Sequence, residues 1–244
     1  MKIVGIIPAR FESSRFPGKP LIDLKGKTMI QRVYESAKKS KMLDELIVAT
    51  DDQRIVDEVI RFGGKAELTS DSHPSGTDRC AEVAKRHAGY DVVLNIQGDE
   101  PLVDHRQIDQ LLNIFHKPET QIGTLGICEK DKQTISNSNR IKLVVNHEKK
   151  ALYFSRSTIP NYDNFKGSPF EFYPFMRHIG LYAYRSEILQ KLTELLPTKL
   201  EKIESLEQLR WMYYGYVIQV VETDIETPNI DVPEDVKKVL NLIK

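Results

Sequence analysis

Asp91-Val92-Val93-Leu94-Asn95-Ile96, running straight into Gln97-Gly98-Asp99-Glu100, is the stretch on which the fold turns. Its apolar run is continuous rather than alternating, which suits a central strand covered on both faces. Around it, short β-branched runs alternate with amphipathic stretches. Residues 3–7 read as a strand and 29–37 as a helix. A strand follows at 46–49, then a helix with Ile55, Val56, Val59 and Ile60 at helical spacing, stopped by Gly63-Gly64. Residues 77–87 and 106–115 read as further helices. This alternation predicts an α/β domain with a largely parallel sheet flanked by helices.

The second half has a different texture. Strands are expected at 123–127, 141–145, 180–184 and 216–221, with less regular connections. Residues 161–175, rich in aromatics, Pro, Gly and Asn, read as a long ordered loop of the kind that is often functional. Pro233-Glu234-Asp235 opens a last helix through Val239 and Leu242, with proline at a natural first helical position. No internal repeat interrupts the pattern, so residues 1–244 are expected to form a single domain. A mixed-sheet insertion is expected at roughly 125–215.

Composition narrows the function. With 35 basic and 35 acidic residues the formal net charge is +0, against the basic excess of a nucleic-acid binder. Anion binding must therefore come from local clusters. No segment approaches the ~20 apolar residues a membrane span needs, and the apolar run before Pro8 and Arg10 is too short for a signal core. The two cysteines, Cys80 and Cys128, share no metal-ligand spacing and read as small buried apolar residues in a reducing compartment. A cytoplasmic protein that binds neither nucleic acid nor membrane is expected.

In an open α/β sheet, ligands gather at the carboxyl ends of strands. The first strand ends in Ala9-Arg10-Phe11-Glu12-Ser13-Ser14-Arg15-Phe16-Pro17-Gly18-Lys19-Pro20. Arg10, Arg15 and Lys19 on one short loop form a clamp for a polyphosphate, with Ala9 and Gly18 permitting close backbone approach. A solvated basic loop fits the spacing equally well. Gly26-Lys27-Thr28 mimics the end of a P-loop, but Leu21 stands where that motif needs glycine.

The pattern Pro8-Ala9-Arg10 through Ser13-Ser14-Arg15 to Pro17-Gly18-Lys19-Pro20 resembles the amino-terminal signature of 3-deoxy-manno-octulosonate (KDO) cytidylyltransferases, a group within the sugar nucleotidyltransferases. Further motifs stand in the family's order: Ala49-Thr50-Asp51, His73 to Arg79, Asn95 to Pro101, Tyr153 to Arg156, Arg177 to Gly180, Glu204 to Arg210 and Asp231 to Asp235. They cover nearly the whole chain. The resemblance implies a Rossmann-like nucleotidyltransferase fold, with the insertion forming the sugar site and the interface of a homodimer. It implies transfer of CMP from CTP to the anomeric hydroxyl of KDO, for lipopolysaccharide synthesis.

It also implies roles for residues. Asp99 and Asp231 would hold Mg²⁺, which needs only a few carboxylate oxygens beside water and phosphate. Taken alone, Asp99-Glu100-Pro101 after a strand is more often a turn. Asp231 also stands where it would cap the last helix, the more so because Val232 replaces the family's usual Thr. Arg10, Arg15 and Lys19 would offset the triphosphate, and Lys19 the charge developing in transfer. Ala9, Ala49, Thr50, Asp51, Ser75, Gly76, Arg79 and Gln97 would complete the CTP site. For Ser75 the competing role is capping a helix start, as it is for Thr77. Pro74, where the family usually has a polar residue, removes a backbone donor. Gln97, Arg156, His178, Glu207 and Gln208 match the sugar-binding positions.

Two neighbouring readings stay open. One is a CMP-sugar synthetase for an 8-amino relative of KDO or a sialic acid. The other, from a different class, is a nucleotide-sugar-dependent glycosyltransferase, although such enzymes usually show an Asp-x-Asp motif where this chain has Gln97-Gly98-Asp99-Glu100.

Overall fold

The structure of the chain, a computed structural model, describes residues 1–12, 16–230 and 232–243. Its first half runs β1 (Ile3–Ala9), α1 (Met29–Ala37), β2 (Glu45–Thr50), α2 (Gln53–Arg61), β3 (Ala66–Leu68), α3 (Gly76–Arg86), β4 (Val92–Asn95) and α4 (His105–Asn113). The second half adds β5 (Ile122–Cys128), α5 (Lys132–Ser136), β6 (Lys142–Val145), β7 (Ala151–Ser155), α6 (Pro169–Phe172) and β8 (Met176–Arg185). It closes with α7 (Ser186–Thr193), α8 (Lys199–Glu204), α9 (Gln208–Tyr213), β9 (Ile218–Thr223) and α10 (Pro233–Leu242).

These strands form one sheet in the order β3-β2-β1-β4-β8-β5-β9, with β6 joined to β8 and β7 to β6. β1 pairs in parallel with both β2 and β4, and β5 in parallel with β9. Along this seven-strand path β8 opposes them, antiparallel to β4 and to β5. The expected parallel-dominated α/β sheet is thus present. Within residues 125–215, β8 and the end of β5 pair into the central sheet, and the β6–β7 hairpin joins it through β8.

The continuous apolar strands work as two-faced core. On one face Ile3, Ile7, Leu46, Val48, Val92, Leu94 and Ile96 pack with Ile30 and Val33 of α1, Ile55 and Val59 of α2, and Leu111 of α4. On the other, Val4, Ile6, Ile47 and Val93 meet Cys80 and Val83 of α3, Leu189 of α7, and Trp211 of α9. The period-2 alternation of a strand therefore sends successive residues into different cores. A satellite cluster of Leu24, Met29, Ile230, Val239 and Ile243 seats α10 beside the start of α1.

Helix starts carry side-chain caps that the sequence dictates. Thr28, Asp52, Ser75 and Asp104 each accept a hydrogen bond from a backbone N–H of the following turn. Of the cysteines, Cys80 is buried as expected. Cys128 is not: it is partly exposed, its Sγ donates to Glu222 at 2.9 Å, and burial pushes its thiol up to about 11.

Candidate active site

The order β2-β1-β4 places the carboxyl ends of β1 and β4 side by side, where the chain departs in opposite directions and a crevice opens. The register brings these ends close, with Ile96 N–H donating to Ile6 O at 2.9 Å. A Cβ on Gly98 would lie 2.8 Å from Pro8 O, so only glycine lets the chain after β4 hug β1. Two cavities occupy the crevice. One of about 200 Å³ is bounded by Ala9, Arg10, Lys19, Ser75, Gly76 and Arg79. The other, about 570 Å³, extends towards β6–β8 and α10. Gln97 and Asp99 line both.

Asp99 is the hinge of the arrangement. Lys19 Nζ donates to its Oδ2 at 2.8 Å and to Ile230 O at 2.9 Å, while Ile230 N–H donates to Asp99 O at 3.0 Å. The phosphate-loop lysine, the carboxylate after β4 and the chain entering α10 therefore meet at one point. The Asp99 side chain keeps 28% exposure and Lys19 only 12%, so the carboxylate stays reachable from the cavities. Arg10 is exposed at the mouth of the smaller cavity. Arg15 and Asp231 lie outside the described residues.

The smaller cavity is floored by the start of α3. Ser75 caps that helix, accepting from Asp78 N–H at 3.2 Å, and its hydroxyl also lies 2.6 Å from Asp78 Oδ2 and 3.0 Å from Glu207 Oε1. Thr77 donates to Glu207 Oε2 at 2.7 Å. Arg79 is buried, donating to Asp51 Oδ2 at 2.6 Å, to Thr69 Oγ1 and to Ser70 O. Ala49 and Thr50 are fully buried behind this wall, and with Asp51 they support it rather than line it.

The larger cavity gathers four cations, Arg140, Arg156, Arg177 and Lys238, against Asp99, Glu100 and Asp235. Arg156 donates through Nε to Glu204 O at 2.8 Å and reaches Ser138 O and Ser205 O at 3.3 Å, so its guanidinium plane is fixed. Arg177 is buried and paired with Glu226, with Glu129 at 3.8 Å from its Nε. His178 is buried between Phe154 and Tyr182, and its Nε2 sits 3.0 Å from Thr124 Oγ1. The Thr124 hydroxyl also lies 2.9 Å from Leu181 O and 3.3 Å from Ile179 O. Burial, with Arg177 beside it, lowers the imidazole to about 3. His178 is therefore neutral at physiological pH.

Two expected sugar ligands stand elsewhere. Glu207 precedes α9 and braces Ser75 and Thr77; Gln208 is buried in the helix, and neither lines a cavity. Burial pushes the Glu207 carboxyl up, and the two hydroxyls oppose that shift. Helical spacing put both residues beside an apolar stripe but did not say which face of the sheet the helix covers. Conversely, Arg140, Arg177 and Lys238 went unselected. Arg177 stood inside the quoted Arg-His-Ile-Gly motif, and the polar run Asn137-Ser138-Asn139-Arg140 marked the loop that carries Arg140. The aromatics of 161–175 pack on one another, Phe170 against Phe175 at 4.7 Å, and line neither cavity.

The Cytidylyltransferase family model matches residues 4–225. A 3-deoxy-manno-octulosonate cytidylyltransferase of Cytophaga hutchinsonii is 48% identical over 98% of this chain and 96% of its own length. The chain belongs to the 3-deoxy-manno-octulosonate cytidylyltransferase family. A member from Parabacteroides distasonis is 49% identical over 98% of this chain and 97% of its own. A solved CMP:2-keto-3-deoxy-manno-octonic acid synthetase in complex with CTP superimposes with a TM-score of 0.92 at 42% identity, covering 99% of this chain and 98% of that one. As a cytidylyltransferase the chain is a nucleotidyltransferase enzyme, and the crevice between β1 and β4 is its candidate active site.

Proposed function

We propose that this cytidylyltransferase transfers CMP from CTP to the anomeric hydroxyl of KDO, releasing pyrophosphate and supplying CMP-KDO for lipopolysaccharide synthesis. The observation that carries the reading is the pair of cavities that meet at Gln97 and Asp99. The solved relative with CTP supports the nucleotide, and the names of the curated relatives support the sugar. CTP fits the smaller cavity, whose floor is the α3 start and whose rim carries Arg10 and Lys19. The acidic sugar fits the larger, cation-rich one.

In this reading the sugar oxygen attacks the α-phosphorus, the bond to the pyrophosphate oxygen breaks, and the hydroxyl proton passes to solvent. Arg10 and Lys19 offset phosphate charge from fixed positions, Lys19 being held in place by Ile230 O. Gln97, whose Nε2 donates to Gly180 O at 3.2 Å, is anchored between the two substrates and orients them. Arg156 and Arg140 face the sugar carboxylate, and neutral His178 a hydroxyl.

Magnesium belongs to the same reading. Among the described residues no group of three or more His, Cys, Asp or Glu side chains gathers as a cage. Mg²⁺ on nucleotide phosphates needs no cage: one or two carboxylates plus phosphate and water complete its octahedron. Asp99, partly exposed where the cavities meet, fits that role, and Asp231 follows Ile230 in the chain. When bound, the ion would polarise the phosphoryl group. A homodimer in the cytoplasm completes the proposal. The homodimer rests on the family resemblance alone; for the compartment the supports are the two free cysteines and the lack, among the described residues, of any helix long and apolar enough to cross a membrane.

The test is pyrophosphate release from CTP, UTP, ATP or dTTP with KDO, its 8-amino analogue or sialic acid. CTP with KDO should give the highest kcat/KM. Release confined to UTP, or absent with all three sugars, overturns the reading.

A further inference from the structure

Lys142, at the start of β6, is fully buried. Its ammonium donates to three main-chain carbonyls: Asn137 O at 2.9 Å, Arg140 O at 2.5 Å and Arg156 O at 2.5 Å. All three protons are thereby satisfied, and none goes to a carboxylate. A buried ammonium that is hydrogen-bonded to no carboxylate is costly, and an apolar side chain of similar length would pack there at lower cost. Burial and the neighbouring Arg156 lower its pKa, and the Glu204 carboxylate only partly opposes them. The three carbonyls come from the loop before β6 and from the residue that follows β7. Those segments carry Asn137, Asn139, Arg140 and Arg156 to the wall of the larger cavity. Arg156 Nη1 reaches back to Ser138 O at 3.3 Å, a second tie between the same two segments.

We propose that Lys142 is a positioning residue for the acidic substrate: from beneath, it ties the 137–140 loop to Arg156 and so sets the spacing of the two arginines that receive the sugar's carboxylate. The inference rests on the larger cavity being the sugar site. It adds that the geometry of that site is fixed by a residue that never touches the sugar. The smaller cavity has no contact with this tie, so the effect is confined to one substrate.

The experiment compares Lys142→Met and Lys142→Gln with the wild-type protein, titrating KDO and CTP separately. Lys142→Met should raise KM for KDO at least tenfold and leave KM for CTP within twofold, with Lys142→Gln, which keeps two donors, between them. Amide hydrogen exchange of residues 137–141 should quicken while β1 and β4 keep wild-type rates. Unchanged KM for KDO overturns the proposal. So does a parallel rise in both KM values with faster exchange throughout the sheet, which would mark a purely structural role. If Lys142→Met does not fold, wild-type exchange decides: residues 137–141 should exchange as slowly as β6, and rates like those of residues 163–167 overturn it. Failure of the functional reading looks different, since the wild-type protein would then turn over no KDO at all.

Discussion

His178 shows how burial converts a residue that looks cationic into a neutral one. Its folded-state value of about 3 lies below the ordinary 6.5, so between those values the unfolded chain holds a proton that the folded chain refuses. Stability contributed by the neutral imidazole is complete above 6.5 and is lost as pH falls towards 3. The loss is on the order of 3 kcal/mol between pH 6.5 and pH 4. Urea unfolding across that range should therefore show a shallower acid slope in His178→Gln than in the wild-type protein. Equal slopes would mean that the imidazole is not held neutral. That protonation state was not legible in the sequence: residue type gives a titratable group, whereas its charge follows from the burial between Phe154 and Tyr182 and from Arg177 beside it.

At the scale of elements, the site depends on how closely the end of β4 runs along β1. Gly98 makes that approach possible, and a methyl group there would press on Pro8 O, a backbone atom that cannot swing aside. Gly98→Ala should lower kcat/KM for CTP by about tenfold to a hundredfold, because sub-ångström displacement of the reacting groups is that costly. Far-ultraviolet circular dichroism should stay native; activity within twofold of wild type would show that the crevice tolerates the shift. Elements that bury both faces were the legible ones. The 29–37 helix was read with the bounds observed, and β1, β2 and β4 within one or two residues. The strand expected at 180–184 begins earlier, at Met176, because Arg177 and His178 break the apolar pattern while pairing with β5 and β6 holds them extended. Its antiparallel direction was invisible, since a run of apolar residues carries no sign of which way its neighbour points. Lys142 was missed for a related reason: sequence reads lysine as surface, and only the fold brings three carbonyls around it.

For the whole molecule, three remote stretches converge on one carboxylate: the loop after β1 through Lys19, the end of β4 through Asp99, and the chain before α10 through Ile230. The satellite core of Leu24, Met29, Ile230, Val239 and Ile243 holds the last of these in place. Ligand binding at that junction should accordingly be read in global stability. A ligand at a hundred times its Kd adds about 2.7 kcal/mol, which for a chain of this size is roughly 5–10 °C in Tm. CTP alone should give part of that rise and CTP with Mg²⁺ more, if Asp99 is a metal ligand. In Asp99→Asn the carboxamide keeps an oxygen for Lys19, so the apo Tm should stay within a few degrees of wild type. The CTP increment should persist and the magnesium increment should vanish, with turnover falling by about a hundredfold or more. A magnesium increment of wild-type size in Asp99→Asn would place the ion on other ligands, leaving Asp99 as the partner that holds Lys19.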